Sequence, residues 1–338
     1  MTSSASKLHQ QSIVVNMLES THSDKYTPQY LEKMRAGGIT ATNVTTVGLV
    51  GVNDFSHGVY GIREFTRHFK SMPDRCTIVK KTRDIEEAKK NGKLAFILGV
   101  QDLMPIEDNL DHLEVFYELG LRIAQITYNR QTLVGCGCAE PHDSGLSLFG
   151  REAVKKINEL GLVLDLSHVG ERTALDALEL STTPVVFSHS CIKSIKGHFR
   201  NVSDGCLKAL KEKNGVIGIA AMSIFLTNIE EANRSGSRLE HWLRHVDYVA
   251  EKYGVDHVGI GLDVGASRTA EEVAMLNSRF PEFRGEDTPL EHRFNADLNS
   301  PEKIPGITEG LLARGYSESD VQKILGLNFM RIFRQVWG

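Results

Sequence analysis

The sequence has no basic excess. Its 39 Lys and Arg face 43 Asp and Glu, a net charge of −4. General nucleic-acid binders usually carry a basic patch or excess, and this balance gives no attraction to anionic lipid. No run approaches the roughly 18 apolar residues of a membrane span. The stretch 1–11 is polar, without the apolar core of a secretory signal. These absences predict a soluble, cytoplasmic protein with a small-molecule substrate and neither nucleic acid nor membrane as partner. Cysteine is sparse: Cys76, Cys136, Cys138, Cys191 and Cys206. An odd count in a chain this long does not read as a disulfide framework. Cys136 and Cys138 form C-x-C with no second pair, unlike common zinc spacings. They read as reduced structural thiols. Low-complexity tracts, sequence repeats and a Gly-rich phosphate loop are also missing.

What is present is an ordinary globular composition, 41% hydrophobic and 24% charged over 338 residues. Short β-rich apolar runs alternate with helical patterns, the mark of βα units and a parallel sheet. Eight such runs stand at 13–18, 39–45, 95–101, 123–129, 163–168, 185–189, 216–222 and 258–263. Strands covered on both faces read as continuous apolar runs, as VVFSH and VGIGLD do. Helical spacing marks 111–119, 150–160 and 206–212, the last behind a Ser203 cap. Eight units predict an α/β fold, a (β/α)₈ TIM barrel, as one domain over 1–338. A doubly wound open sheet is the alternative built from the same units. The polar stretch 268–300 reads as a long loop excursion, and 316–337 as a closing helical region.

Barrel active sites lie at the C-terminal strand ends. There the runs turn polar: Asn16, Asn43, Gln101, Tyr128 with Asn129, His168, His189 and Asp263. His168 and His189 both end an apolar-Ser-His pattern. Neighbouring parallel strands lie about 4.8 Å apart, so two imidazoles at matched ends can converge on one ion. The competing reading is two hydrogen-bonded histidines capping buried strands. Arg200 follows in a short loop, where a guanidinium fork suits a substrate carboxylate or an ordinary salt bridge. The loop GCGCAEPHDSG, with Glu140, His142 and Asp143, reads as a lid over the mouth or as a solvated turn.

These motifs together (DLSHVGERT, PVVFSHS, HFRNVSD, VGIGLD and GLNFMRIF) resemble the membrane (renal-type) dipeptidases of the amidohydrolase superfamily, from about residue 12 to 333. The resemblance implies a metallo-dependent-hydrolase barrel in which two zinc ions share a bridging carboxylate. It also implies cleavage of small dipeptides and related amides, and a homodimer. Carried residue by residue, it assigns His168 and His189 as metal ligands. It gives Arg200 to the substrate carboxylate, and Asp263 to the substrate amine and proton transfers.

The departures sit at the same site. Leu18 and Ser20 stand where the family has a metal-binding His-x-Asp. Gln101 replaces the bridging Glu, and Tyr128 replaces a substrate-contacting His. Leucine has no donor atom, and a neutral amide cannot offset two dications about 3.5–4 Å apart. The expectation is therefore a divergent hydrolase with at most one zinc or similar ion on His168 and His189, with Asp263 as third ligand or acid. Tyr128 then donates to the developing oxyanion, while Arg200, Asn129 and Gln101 bind substrate. Glu19, His22 and the Glu140–Asp143 loop are the remaining nearby donors. A metal-free or one-metal lyase, isomerase or decarboxylase, and a non-catalytic ligand-binding barrel, are the two alternatives.

Overall fold

A computed structural model describes residues 4–47, 53–266, 269–279, 282 and 288–338. Nine parallel strands follow in chain order: β1 (Val15–Glu19), β2 (Ala41–Thr45), β3 (Cys76–Ile78), β4 (Leu94–Val100), β5 (Leu121–Gln125), β6 (Val163–Asp165), β7 (Val186–Ser190), β8 (Val216–Ile219) and β9 (Val258–Ile260). Eight of them close a ring, β1-β2-β4-β5-β6-β7-β8-β9, and β9 pairs back to β1 at Asn16↔Ile260. Helices cover the outside, so the molecule is a (β/α)₈ barrel. The open-sheet alternative is excluded by that closure.

Every one of the eight sequence runs contains a barrel strand. The ninth strand, β3, is only three residues, CTI, and pairs with the first half of β4 (Cys76↔Leu94). A tripeptide offers no apolar run to read. Five of the runs also end earlier as strand than their apolar stretch. β4 stops at Val100, β5 at Gln125, β6 at Asp165, β8 at Ile219 and β9 at Ile260, leaving Gln101, Asn129, His168, Met222 and Asp263 beyond the strands.

The strands bury both faces, and alternation sorts them. On β4, Leu94, Phe96 and Leu98 join the large cluster under the helices, while Ala95 and Ile97 join a smaller one. That smaller cluster also takes Val15, Met17, Ala41, Ile123, Val163, Val186 and Val216, and the last helix closes it with Phe329 and Phe333. It is the barrel floor. The same inward parity carries β4 up to Gln101, β5 to Gln125, β6 to Asp165 and β7 to Ser188 and Ser190. Each strand is thus apolar at the floor and polar at the mouth.

The helices expected at 111–119, 150–160 and 206–212 are present as Asp111–Leu119, Leu148–Leu160 and Asp204–Glu212. Ser203 caps the last, accepting from the Cys206 N–H. The closing region is two α-helices, Glu318–Gln322 and Asn328–Trp337, joined by a π turn at Lys323–Leu327. Gly326 lies against the Ile13 carbonyl there. The stretch 268–300 is not loop throughout. Its described part includes a helix, Ala270–Arg279, and a 3₁₀ turn, Leu290–His292. Residues 268, 280, 281 and 283–287 of that stretch lie outside the described residues.

Candidate active site

His168 and His189 meet. Their Nε2 atoms are 3.0 Å apart and both rings are buried. His189 rides at the end of β7, while His168 sits in the turn after β6 with φ 65°. Left-handed backbone is uncommon outside Gly and clusters at functional sites. Asn129 (φ 56°) and Asp263 (φ 57°) share it.

Each imidazole is held from behind. The Nδ1 of His168 lies 2.6 Å from the Asn129 Oδ1. The Asn129 amide N–H donates to Glu282 at 3.1 Å, and Glu282 also pairs with Arg130 at 2.9 Å. The Nδ1 of His189 lies 2.7 Å from the Ser188 hydroxyl, which in turn donates to Asp165 Oδ2. Asp165 Oδ1 accepts the backbone N–H groups of Ser167 and Ser188, each at 2.9 Å. Burial raises the Asp165 pKa against the lowering effect of those hydrogen bonds. Burial, then the nearby Arg200 charge, holds both histidines well below the ordinary imidazole range. At neutral pH the pair is uncharged, the form that ligates metal.

Tyr128 stacks on His168, with ring centroids 3.9 Å apart. Arg200 is almost fully buried. Its two terminal nitrogens donate to the Ser190 hydroxyl at 2.7 Å and the His189 carbonyl at 2.6 Å, and its Nε has no partner. A cavity of about 370 Å³ opens beside it, with His168, Arg200, Phe199, Cys138 and Glu140 in the wall. Gln101 is buried just past the end of β4 and donates to Thr45 at 2.5 Å. Asp263 lines a second cavity, of about 210 Å³, together with Ser20, Glu291 and Arg293.

So the structure brings together His168, His189, Asn129, Tyr128 and Arg200. Asp263 lines the cavity beside Ser20, and no group of three His, Cys, Asp or Glu among the described residues is placed to hold a metal. The expected third ligand at Asp263 is therefore absent from this geometry. Three of the reserve donors, Glu19, Asp143 and Glu140, are engaged elsewhere. A register shift in β1 between Asn16 and Glu19 breaks the alternation and turns Glu19 outward, where the Tyr30 hydroxyl donates to it. Burial pushes the Glu19 carboxyl up to about 8. Asp143 instead caps the helix Glu171–Leu180, accepting from the Arg172 and Thr173 N–H groups. The Glu140 carboxylate accepts from the Gln131 N–H. The C-x-C cysteines are free, as expected. Asp165 and Ser188 are the site residues that sequence reading missed. Both lie within the D-x-S-H and S-H motifs, at the inward parity that the floor residues Val163 and Val186 set.

The paired imidazoles supply two nitrogen donors, and no third His, Cys, Asp or Glu joins them among the described residues. Two nitrogens on a tetrahedral zinc, each at about 2.0–2.1 Å, stand roughly 3.3 Å apart, close to the 3.0 Å observed. Leu18 is buried hydrocarbon outside both apolar clusters, Ser20 offers a hydroxyl, and Gln101 is neutral.

A family model for membrane dipeptidase (peptidase family M19) matches residues 5–281 and 291–337. The chain is 31% identical over 297 residues to dipeptidase tcpJ of Claviceps purpurea (strain 20.1), covering 85% of this chain and 63% of that one. It is 28% identical over 291 residues to dipeptidase ataJ of Aspergillus terreus (strain NIH 2624 / FGSC A1156), covering 80% and 64%. The chain thus spans less than two thirds of the length of these relatives. Among solved structures, an amidohydrolase from Pseudomonas aeruginosa is 32% identical, with TM-score 0.88 over 99% of this chain and 100% of that one. A metallo peptidase from Rhodobacter sphaeroides, liganded with a phosphinate mimic of L-Ala-D-Ala, shares the fold at TM-score 0.79. It is 20% identical, over 97% of this chain and 100% of that one.

Proposed function

The chain belongs to the membrane dipeptidase family, peptidase family M19, and on that basis we propose a divergent hydrolase of small, carboxylate-bearing dipeptide-like or amide substrates. The observation that carries the reading is the convergent His168–His189 pair beside a cavity that also holds Arg200. The reading gives one divalent ion at most to the two histidines, with its remaining positions left to water and substrate. When bound, zinc would supply a water acidic enough to ionise near pH 7.

The chain's own residues do the rest. Arg200 orients the substrate carboxylate, and its unpartnered Nε is a donor still available. Its remaining bonds, to Ser190 and the His189 backbone, fix its position relative to the metal pair. Tyr128, stacked on His168, places a phenol at the same mouth, where it can donate to a developing oxyanion. Gln101 is assigned to the substrate, while the Asn129 amide is committed behind His168, its oxygen facing that imidazole and its N–H facing Glu282. Asp263 is assigned to the substrate amine and to proton transfer. A metal-free acid–base reaction on a small carboxylate is the second reading, favoured by the missing third ligand among the described residues.

The test is a hydrolysis screen of dipeptides and N-acyl amino acids with purified protein, with and without added zinc and chelator. The reading expects turnover that chelator abolishes and zinc restores. Turnover insensitive to chelator supports the metal-free alternative. No hydrolysis of any member, with metal bound, contradicts the hydrolase reading.

A further inference from the structure

The mechanism so far leaves Asp165 unused, although it is a fully buried carboxylate at the inward end of β6. Its hydrogen bonds decide a question that the two facing Nε2 atoms raise. Each neutral imidazole carries one N–H, and the partner of Nδ1 fixes where that hydrogen lies.

On the His168 side the answer follows from Asn129. A carboxylate only accepts, so the amide N–H of Asn129 faces Glu282 and its Oδ1 faces His168. The Cys138 thiol also donates to that same Oδ1 at 3.5 Å. The Nδ1 of His168 must therefore carry the hydrogen. On the His189 side Ser188 has one hydroxyl hydrogen, and it goes to Asp165. The Ser188 oxygen is left as an acceptor for the Nδ1–H of His189. Both Nε2 atoms then present lone pairs to each other at 3.0 Å, a contact that repels unless a cation sits between them.

We propose that Asp165, acting through Ser188, and Asn129 are positioning residues that hold His189 and His168 as Nδ1–H tautomers, so that two Nε2 lone pairs form a preset cradle for one divalent cation. This rests on the one-metal reading above. Outer partners of metal-bound histidines set the tautomer and typically change metal affinity 10–100-fold. The two sides use different chemistry for the same end: an amide oxygen behind His168, a carboxylate and hydroxyl relay behind His189.

Asp165→Asn reverses the relay. Its amide N–H would face the Ser188 oxygen, the Ser188 hydroxyl would turn to Nδ1 of His189, and the imidazole hydrogen would move to Nε2. That hydrogen blocks the ligand position. Asn129→Asp, made together with Glu282→Gln so that two carboxylates do not meet, keeps an acceptor behind His168 and preserves its tautomer. Ser188→Ala removes the relay without reversing it.

The experiment measures zinc affinity by competition with a chromophoric chelator, and reads the tautomers by ¹⁵N NMR of the labelled, metal-free protein. The expected result is a loss of about 10–100-fold in affinity for Asp165→Asn, with His189 shifted to Nε2–H. Ser188→Ala should lose less, and the Asn129→Asp/Glu282→Gln double variant should retain wild-type affinity or exceed it. A purely structural role would lower all three in step with their thermal midpoints. If Asp165→Asn binds zinc within twofold of wild type and His189 remains Nδ1–H, the proposal is overturned. If Asp165→Asn fails to fold, the order of Ser188→Ala and the Asn129→Asp/Glu282→Gln double variant decides by the same criterion. The NMR reading of wild type stands apart from the metal reading: a metal-free His189 with its hydrogen on Nε2 overturns the positioning role even where zinc binds.

Discussion

Arg200 is the residue on which substrate choice turns. Its fork is already anchored at Ser190 and His189, with the Nε unspent. Arg200→Ala should weaken a substrate carrying a free carboxylate by about 2–5 kcal/mol and barely change its carboxamide analogue. Arg200→Lys should not rescue it, because an ammonium cannot reproduce the planar fork. Equal losses for both ligands would remove the carboxylate role. Gln101 and Leu18 make a second prediction. Gln101→Glu alone should not recruit a second ion, since Leu18 still supplies no donor; two ions per chain in that variant would contradict the placement of Leu18. Glu19 gives a third, on pH. Its folded pKa is raised from 4.5 to about 8, so the folded state holds the proton more tightly than the unfolded chain. Stability is then full below about pH 4.5, falls as pH rises towards 8 and levels off above it, a swing on the order of 5 kcal/mol. Glu19→Gln should flatten that slope, as urea midpoints at pH 5, 7 and 9 would show. A slope equal to wild type would place the titration elsewhere. Gln101 was legible as a polar strand end, Arg200 as a guanidinium in a short loop, and Leu18 as a departure from the resembled family. Glu19 was not, because only a register shift in β1 turns it away from the mouth.

Among the elements, β7 and its neighbours carry the site. The Ser188 carbonyl projects towards two glycines, Gly218 on β8 and Gly261 just past β9. A Cβ on Gly261 would stand 1.8 Å from that oxygen, and one on Gly218 would stand 2.1 Å from it. The backbone there has no slack, so Gly261→Ala must displace the end of β7 with His189 on it. It should lower stability by about 1–3 kcal/mol and weaken metal binding as well, measured by thermal midpoint and zinc competition. A stability loss with unchanged zinc affinity would show that β7 does not set the histidine geometry. Strand identity was readable because strands buried on both faces are continuous apolar runs. Strand ends were not, because VLDLSH stays apolar past the point where β6 stops pairing and His168 enters left-handed backbone. The three-residue β3 and the helix Ala270–Arg279 escaped for a related reason: one is too short for a periodic signal, and the other lies in a polar stretch.

For the whole molecule, the barrel arranges its chemistry by height. Phe329 and Phe333 seal the floor, and the same inward faces end in amides, hydroxyls and a carboxylate at the mouth, with His168 and His189 one position off that parity. No helix among the described residues is long and apolar enough to cross a membrane. The barrel could be foreseen from eight βα units, since sequence period and burial on two faces leave few other architectures. The histidine pair could be foreseen from its matched motifs. The hydrogen-bonded support behind it could not, because those bonds join residues 23 and 39 positions apart and depend on inward parity rather than local pattern. The most direct measurement is the metal content of the purified protein by elemental analysis, beside the His168→Ala/His189→Ala double variant. The account predicts about one divalent ion per chain, lost in the variant while the fold is kept. Two ions per chain, or one that survives the loss of both histidines, would contradict it.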